Sequence, residues 1–106
     1  MKKLEEAVAA YIDAIKSSEE YLDYTSKKNR VKQFPELKAR IDEYRRRNNE
    51  MQNSENTVYE NIEAFEKEYE ALWEEPLAAD FLTAELAFCR MMQEVNLKIT
   101  ESLDFE

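Results

Sequence analysis

A lone cysteine, a ladder of glutamates and a run of arginines are the side chains of this 106-residue chain whose types and spacing could do chemistry. Glu63 with Glu66, and Glu66 with Glu70, stand three and four residues apart, which sets each pair on one helix face. Carboxylates so placed can act as general acid and base or hold a cation. Helical di-metal sites also draw on a Glu-x-x-His element, and this chain has no histidine. That absence also removes Ser-His-Asp and Cys-His nucleophiles and the commonest zinc ligand. The glutamates therefore read as a solvated face, and no catalytic or metal-ligating residue is expected. Cys89 cannot form a disulfide within the chain; it reads as a small buried apolar residue, with a thiol shared between subunits as the sharper alternative. Nothing in such cysteine usage calls for an oxidising compartment, so a cytoplasmic setting is expected.

The charges are segregated. The net charge is −9, yet residues 27–47 carry nine of the 15 basic side chains against three acids, and residues 48–106 are strongly acidic. Lys27, Lys28, Arg30, Arg45, Arg46 and Arg47 are the candidate contacts for an acidic partner or RNA through general electrostatics. No nucleic-acid motif and no interleaved aromatics accompany them. The plainer reading is that this segment complements the acidic fourth helix or is a solvated face, and direct nucleic-acid binding is disfavoured by the overall negative field.

Such side chains have to be carried by helices, because the chain contains no glycine to build tight hairpins or phosphate-cradling loops. Leu4, Val8, Tyr11, Ile12 and Ile15 form the stripe of a first helix. Ser17-Ser18-Glu19-Glu20 reads as a capping box, with Ser17 accepting from the amide of Glu20, and starts a second helix. Tyr21, Tyr24 and Val31 face inward along it, and Phe34-Pro35 ends it. Pro35 suits the first position of a third helix, in which Leu37, Ile41, Tyr44, Asn48 and Met51 follow at heptad-like spacing with a polar break at Asn48. Residues 52–56 are the best loop, and Thr57 to Glu60 offers another capping box. Val58, Ile62, Phe65, Tyr69, Leu72 and Trp73 make a fourth helix that closes at Glu75-Pro76. Pro76 opens a last helix that can run to about Leu103, roughly 40 Å at 1.5 Å per residue.

That last helix has two apolar stripes, which demands cover on two sides. Leu77, Phe81, Ala84, Phe88, Met91, Met92, Val95 and Ile99 form the broad one. Ala78, Leu82, Leu86 and Cys89 form the second, and are the candidate self-association surface; the alternative is a central helix buried within its own monomer. The expected fold is all-α: antiparallel helical hairpins in a bundle of four to five helices with a long C-terminal helix, one domain over 1–106, dimer-forming. The basic start Met1-Lys2-Lys3 is broken by Glu5 and Glu6, so no signal peptide is expected. The longest apolar run, Ala7 to Ile12, is far below the roughly 20 residues of a membrane span.

Three stretches in order resemble one family. Ser18-Glu19-Glu20-Tyr21-Leu22-Asp23-Tyr24 is similar to its early "SEEY..Y" element. Phe34-Pro35-Glu36-Leu37 followed by Ile41-Asp42-Glu43-Tyr44 is similar to its "DPE…LI.EF" element. Glu75-Pro76-Leu77, running through Phe81-Leu82-Thr83-Ala84-Glu85 to Met91-Met92 and Val95-Asn96, is similar to its long helix. The chain thus resembles the YlbF/YmcA family of small helical regulatory proteins from Firmicutes. The resemblance implies a non-enzymatic adaptor that self-associates and binds other proteins, related helical regulators and ribonuclease Y among them. Control of competence, sporulation or biofilm formation and of mRNA processing is the implied setting. Some members are described as sharing an iron–sulphur cluster through cysteines; a cluster takes about four thiolates, and Cys89 alone leaves no cofactor expected here. The competing readings are a purely structural oligomerisation module and an RNA-associated protein using residues 27–47.

Overall fold

The computed structural model describes residues 1–53 and 59–103, and the side chains of all of these but residues 59–61. Among them the chain forms α1 (Lys2–Lys16), α2 (Glu19–Val31), α3 (Pro35–Gln52), α4 (Tyr59–Glu68), α5 (Glu70–Glu74) and α6 (Pro76–Ser102), with no strand. The all-α expectation holds, and the expected fourth helix is divided. The capping box at Thr57 and the inward Val58 lie outside the described residues, as do positions 54–56 of the expected loop. No helix among the described residues is long and apolar enough to cross a membrane.

Local chemistry sets the helix ends. Ser17 does not cap α2; it closes α1, its hydroxyl donating to the Asp13 carbonyl at 3.0 Å. Ser18, with extended backbone, is the cap, and its Oγ accepts from the Tyr21 amide at 3.2 Å. The expected capping box is not formed: the cap is one residue later, because Ser17 still has helical dihedrals and only an extended residue can turn its side chain onto the free amides, and Tyr21 has no carboxylate to complete a box. Pro35 and Pro76 both sit in the first turn of their helices, where a missing amide hydrogen costs nothing. Glu75 before Pro76 is driven to extended backbone. The break between α4 and α5 falls at Tyr69, whose φ and ψ of −101° and 10° leave the helical well. The Tyr69 amide still reaches the Phe65 carbonyl at 3.2 Å and the Trp73 amide the Tyr69 carbonyl at 3.2 Å, so this is a kink and not a loop.

The core is small: Val31, Ile41, Leu72, Ala78, Phe81 and Leu82, with Tyr24, Leu37, Tyr44, Tyr69 and Leu77 packed around it. α2 runs antiparallel to the first half of α6, with Tyr21 on Phe88 at 5.5 Å and Tyr24 between Phe81 and Phe88 at 5.8 and 5.4 Å. The expected inward tyrosines are thus in place, half-buried. α3 and α4 run antiparallel as well, joined by Tyr44, which meets Phe65 at 5.6 Å and Tyr69 at 5.1 Å.

The two stripes of α6 fare differently from expectation. Ala78 is fully buried and Leu82 is 6% exposed, both inside this core beside Phe81. They are covered by the chain itself and are not on an outer surface. Only Leu86, 48% exposed, and Cys89 remain open on that stripe. α5, five residues long and joined directly to the start of α6, contributes Leu72 to the core beside Ala78, Phe81 and Leu82.

Phe81 is buried whereas Phe88 is half-buried. Phe81→Ala should lower stability by about 3–5 kcal/mol and Phe88→Ala by less, read as the denaturant midpoint; equal losses would contradict this placement. The Tyr11 hydroxyl is closed off from solvent with no hydrogen-bond partner among the described residues. Tyr11→Phe should therefore leave the midpoint unchanged or raise stability by up to about 2 kcal/mol.

Candidate functional site

A helix turns about 100° per residue, so neighbours in sequence point in different directions. The three arginines at the end of the basic segment do so. Arg45 reaches α6, its guanidinium 2.8 Å from Glu85, 3.6 Å from Asp42 and stacked over the Phe81 ring at 5.9 Å. Arg46 stays on α3, 2.8 Å from Glu50 and 3.6 Å from Glu43. Arg47 points the other way, donating to Glu68 at 2.5 Å and to the Tyr69 hydroxyl at 2.9 Å, over the rings of Phe65 and Tyr69. On α2, Lys27 pairs with Asp23 at 3.2 Å and Lys28 lies over Tyr24 at 5.8 Å. Arg30 is exposed with no ion pair among the described residues. The six basic candidates therefore make no single patch. Basic and acidic segments meet within one chain, through Arg47 with Glu68 and Arg45 with Glu85.

What the structure does bring together is one half of each candidate set. Asp42, Arg45, Arg46 and Asn49 on α3 face Leu82, Glu85, Leu86 and Cys89 on α6, the same three-four-seven spacing on both helices, across a groove of about 660 Å³. Tyr44, Asn48 and Gln52 deepen it, and Trp73, 41% exposed, forms its lip. Its lining mixes the apolar Leu82, Leu86, Cys89 and Trp73 with the charged Asp42, Arg45, Arg46 and Glu85, and the Arg45–Glu85 pair bridges the two helices. Cys89 is exposed in it, where sequence reasoning expected a buried residue; the cover on α6 ends one turn earlier. Asn48 explains itself here: the polar break in the α3 heptad faces the groove and not the core. With Asn49 and Gln52 it was the signal that a side of α3 is not closed by a helix. Trp73 at the lip was missed, since its place at the edge of an apolar stripe looks like core.

Among the described residues no three acidic, cysteine or histidine side chains converge as metal ligands. Glu63, Glu66 and Glu70 are exposed. The groove offers no nucleophile–base pair: its thiol has no partner base in the lining, and its carboxylates face arginines. Its chemistry is that of surface recognition, with apolar anchors and a charged rim.

The family model described as "Control of competence regulator ComK, YlbF/YmcA" matches residues 4–104. The chain belongs to the YlbF/YmcA family. The match spans all six helices, so the core and the groove are both parts of the YlbF/YmcA unit in this chain. The family is one of regulatory proteins, and a regulatory role follows for this member. No curated protein and no solved structure shows a significant match.

The Arg47–Glu68 pair is the one whose electrostatics stand out. The hydrogen bond from Arg47 holds the Glu68 carboxyl below its ordinary value of 4.5. Arg47 in turn keeps its proton more firmly, through its hydrogen bonds to Glu68 first and Tyr69 second. A lowered carboxylate contributes stability above its unfolded value and loses it as pH falls through the folded one. The pair is exposed, so this contribution is small. Arg47→Met should return the Glu68 carboxyl to the ordinary range in a carbon-detected NMR titration; no movement would show that the pair does not hold in solution.

Proposed function

We propose that this protein is a non-enzymatic regulatory adaptor of the cytoplasm that seats an amphipathic helix of a partner protein in the α3/α6 groove. The observation that carries this reading is the groove itself: Leu86, Cys89 and Trp73, all exposed, line it together with the charged Asp42, Arg45, Arg46 and Glu85. A groove between helices receives a partner helix through apolar anchors three and four residues apart, and the charged rim sets its register. Arg46 and Asp42 line the groove with opposite signs, each already paired along α3, Arg46 with Glu50 and Asp42 with Lys38. Arg45 is already committed to Glu85.

The membership in a competence-regulator family supports partners that are proteins. Related helical regulators and ribonuclease Y are the partners to try first, in the control of competence, sporulation or biofilm formation and of mRNA processing. RNA is a weaker occupant, since five of the six basic candidates are matched to acids or aromatic faces of the chain itself.

Trp73 is the only tryptophan, so its fluorescence reports the groove without labelling. Titrating a purified related regulator or the soluble part of ribonuclease Y should shift Trp73 emission with saturation, and Leu86→Glu should weaken binding at least ~10-fold while the melting temperature stays put. Binding that Leu86→Glu leaves untouched would remove the groove as the docking site.

A further inference from the structure

Beside Phe81 lies a second, smaller cavity of about 80 Å³, between the end of α2 and the first half of α3. Its apolar lining is Val31, Ile41 and Phe81, all buried. Four cations line it as well: Lys28 and Lys32, four residues apart at the end of α2, and Lys38 and Arg45, seven apart on α3. One carboxylate, Asp42, stands among them, 2.7 Å from Lys38 and 3.6 Å from Arg45, and Arg45 reaches Glu85 at 2.8 Å. Lys28 has the Tyr24 ring at 5.8 Å, and Lys32 has no ion pair among the described residues. Four cations against Asp42 and Glu85 leave a surplus of two positive charges.

Helix chemistry accounts for only part of this cluster. Cations at the C-terminal end of α2 suit its dipole, but Lys38 stands near the N-terminus of α3, where a cation is disfavoured. Lys28 and Lys32 are like charges at a spacing of four, which is destabilising too. The arrangement therefore costs stability in the free chain, and an anion placed among the four side chains offsets that cost.

We infer that this cavity binds a phosphate dianion, free or carried as the monoester of a small molecule, through Lys28, Lys32, Lys38 and Arg45. At neutral pH such a group carries close to two negative charges, which the surplus matches. Room for two or three water molecules, at about 30 Å³ each, is room for one tetrahedral oxyanion. Arg45 binds Glu85 through one nitrogen and keeps further N–H donors for a second acceptor. The buried apolar lining keeps water from one side of the site and strengthens each charged contact. A polyanion is disfavoured by the net charge of −9. A single small anion responds instead to charges within a Debye length, about 8 Å at physiological salt. The cations also surround one small cavity, whereas a nucleic-acid strand needs a positive groove that tracks its backbone.

The test is an amide NMR titration of the full chain with sodium phosphate and, separately, glycerol 3-phosphate, the ionic strength held constant with sodium chloride. The amides of residues 28–32 and 38–45 should move with saturation, giving a dissociation constant of about 1 mM or lower, while sodium chloride alone leaves them in place. Lys28→Gln with Lys32→Gln should weaken binding at least ~10-fold. Lys27→Gln with Arg30→Gln removes the same charge from α2 outside the cavity lining, and should change binding by about twofold or less. An unchanged melting temperature shows that both double variants keep the fold. Tighter binding of glycerol 3-phosphate assigns the site to a phosphorylated small molecule and equal binding assigns it to free phosphate; both uphold the proposal. Shifts that do not saturate by about 20 mM, or equal weakening in the two double variants, mean adventitious ion association only and overturn it. Displacement of bound phosphate by micromolar single-stranded RNA overturns it in favour of nucleic acid.

Discussion

The packing of α2 against the first half of α6 is the contact on which the rest of the molecule depends. Phe81 sits at its centre, with Tyr24 stacked on it, Arg45 over its ring, and Val31 and Ile41 in the same cluster. Three elements, α2, α3 and α6, are thereby referred to one side chain. With so few buried residues the whole cooperative unit is small, and helices that do not reach Phe81 or its neighbours draw little from it. α5 reaches it through Leu72. α4 reaches it only indirectly, through the aromatic chain of Tyr44, Phe65 and Tyr69.

That geometry explains why the groove exists. α3 is held near α6 at Ile41 by the core and at Arg45 by Glu85, and past those points the α3 side chains that line the gap are polar. Asn48, Asn49 and Gln52 prefer water to an apolar partner, and Cys89 is short. Trp73 lines the space without closing it and stays 41% exposed. The groove is thus a consequence of a polar α3 face opposite an apolar α6 face, not of a distorted backbone.

Much of the architecture was legible because its signals are local. Pro35, Pro76 and the serines at 17–18 mark helix ends through backbone chemistry that needs no tertiary partner, and the period of Leu37, Ile41 and Tyr44 is read within one helix. The cap slipped by a residue because Ser17 and Ser18 are chemically equivalent and only the dihedrals separate them. The kink at Tyr69 was illegible: no proline, glycine or serine marks it in the sequence, and the ring contact of Tyr69 with Tyr44 is distant in sequence. Charge misled in a similar way. Lys27 to Arg47 look like one basic block along the chain, yet the helical turn sends Arg45, Arg46 and Arg47 to three places, and their acids lie as far away as Glu85. The stripe Ala78–Leu82–Leu86–Cys89 was read correctly as a line and wrongly as a surface, since which half of it is covered depends on where Val31, Ile41 and Leu72 pack.

One consequence follows from α6 being a single rod. At 100° per residue the stripe through Leu82, Leu86 and Cys89 and the stripe through Met92, Val95 and Ile99 are roughly 120° apart around the axis. They are also displaced along it, the first lying over the core and the second beyond it. The distal stripe therefore shares no side chain with the groove. The long C-terminal helix extends beyond the last residue it contributes to the core, and it carries both stripes.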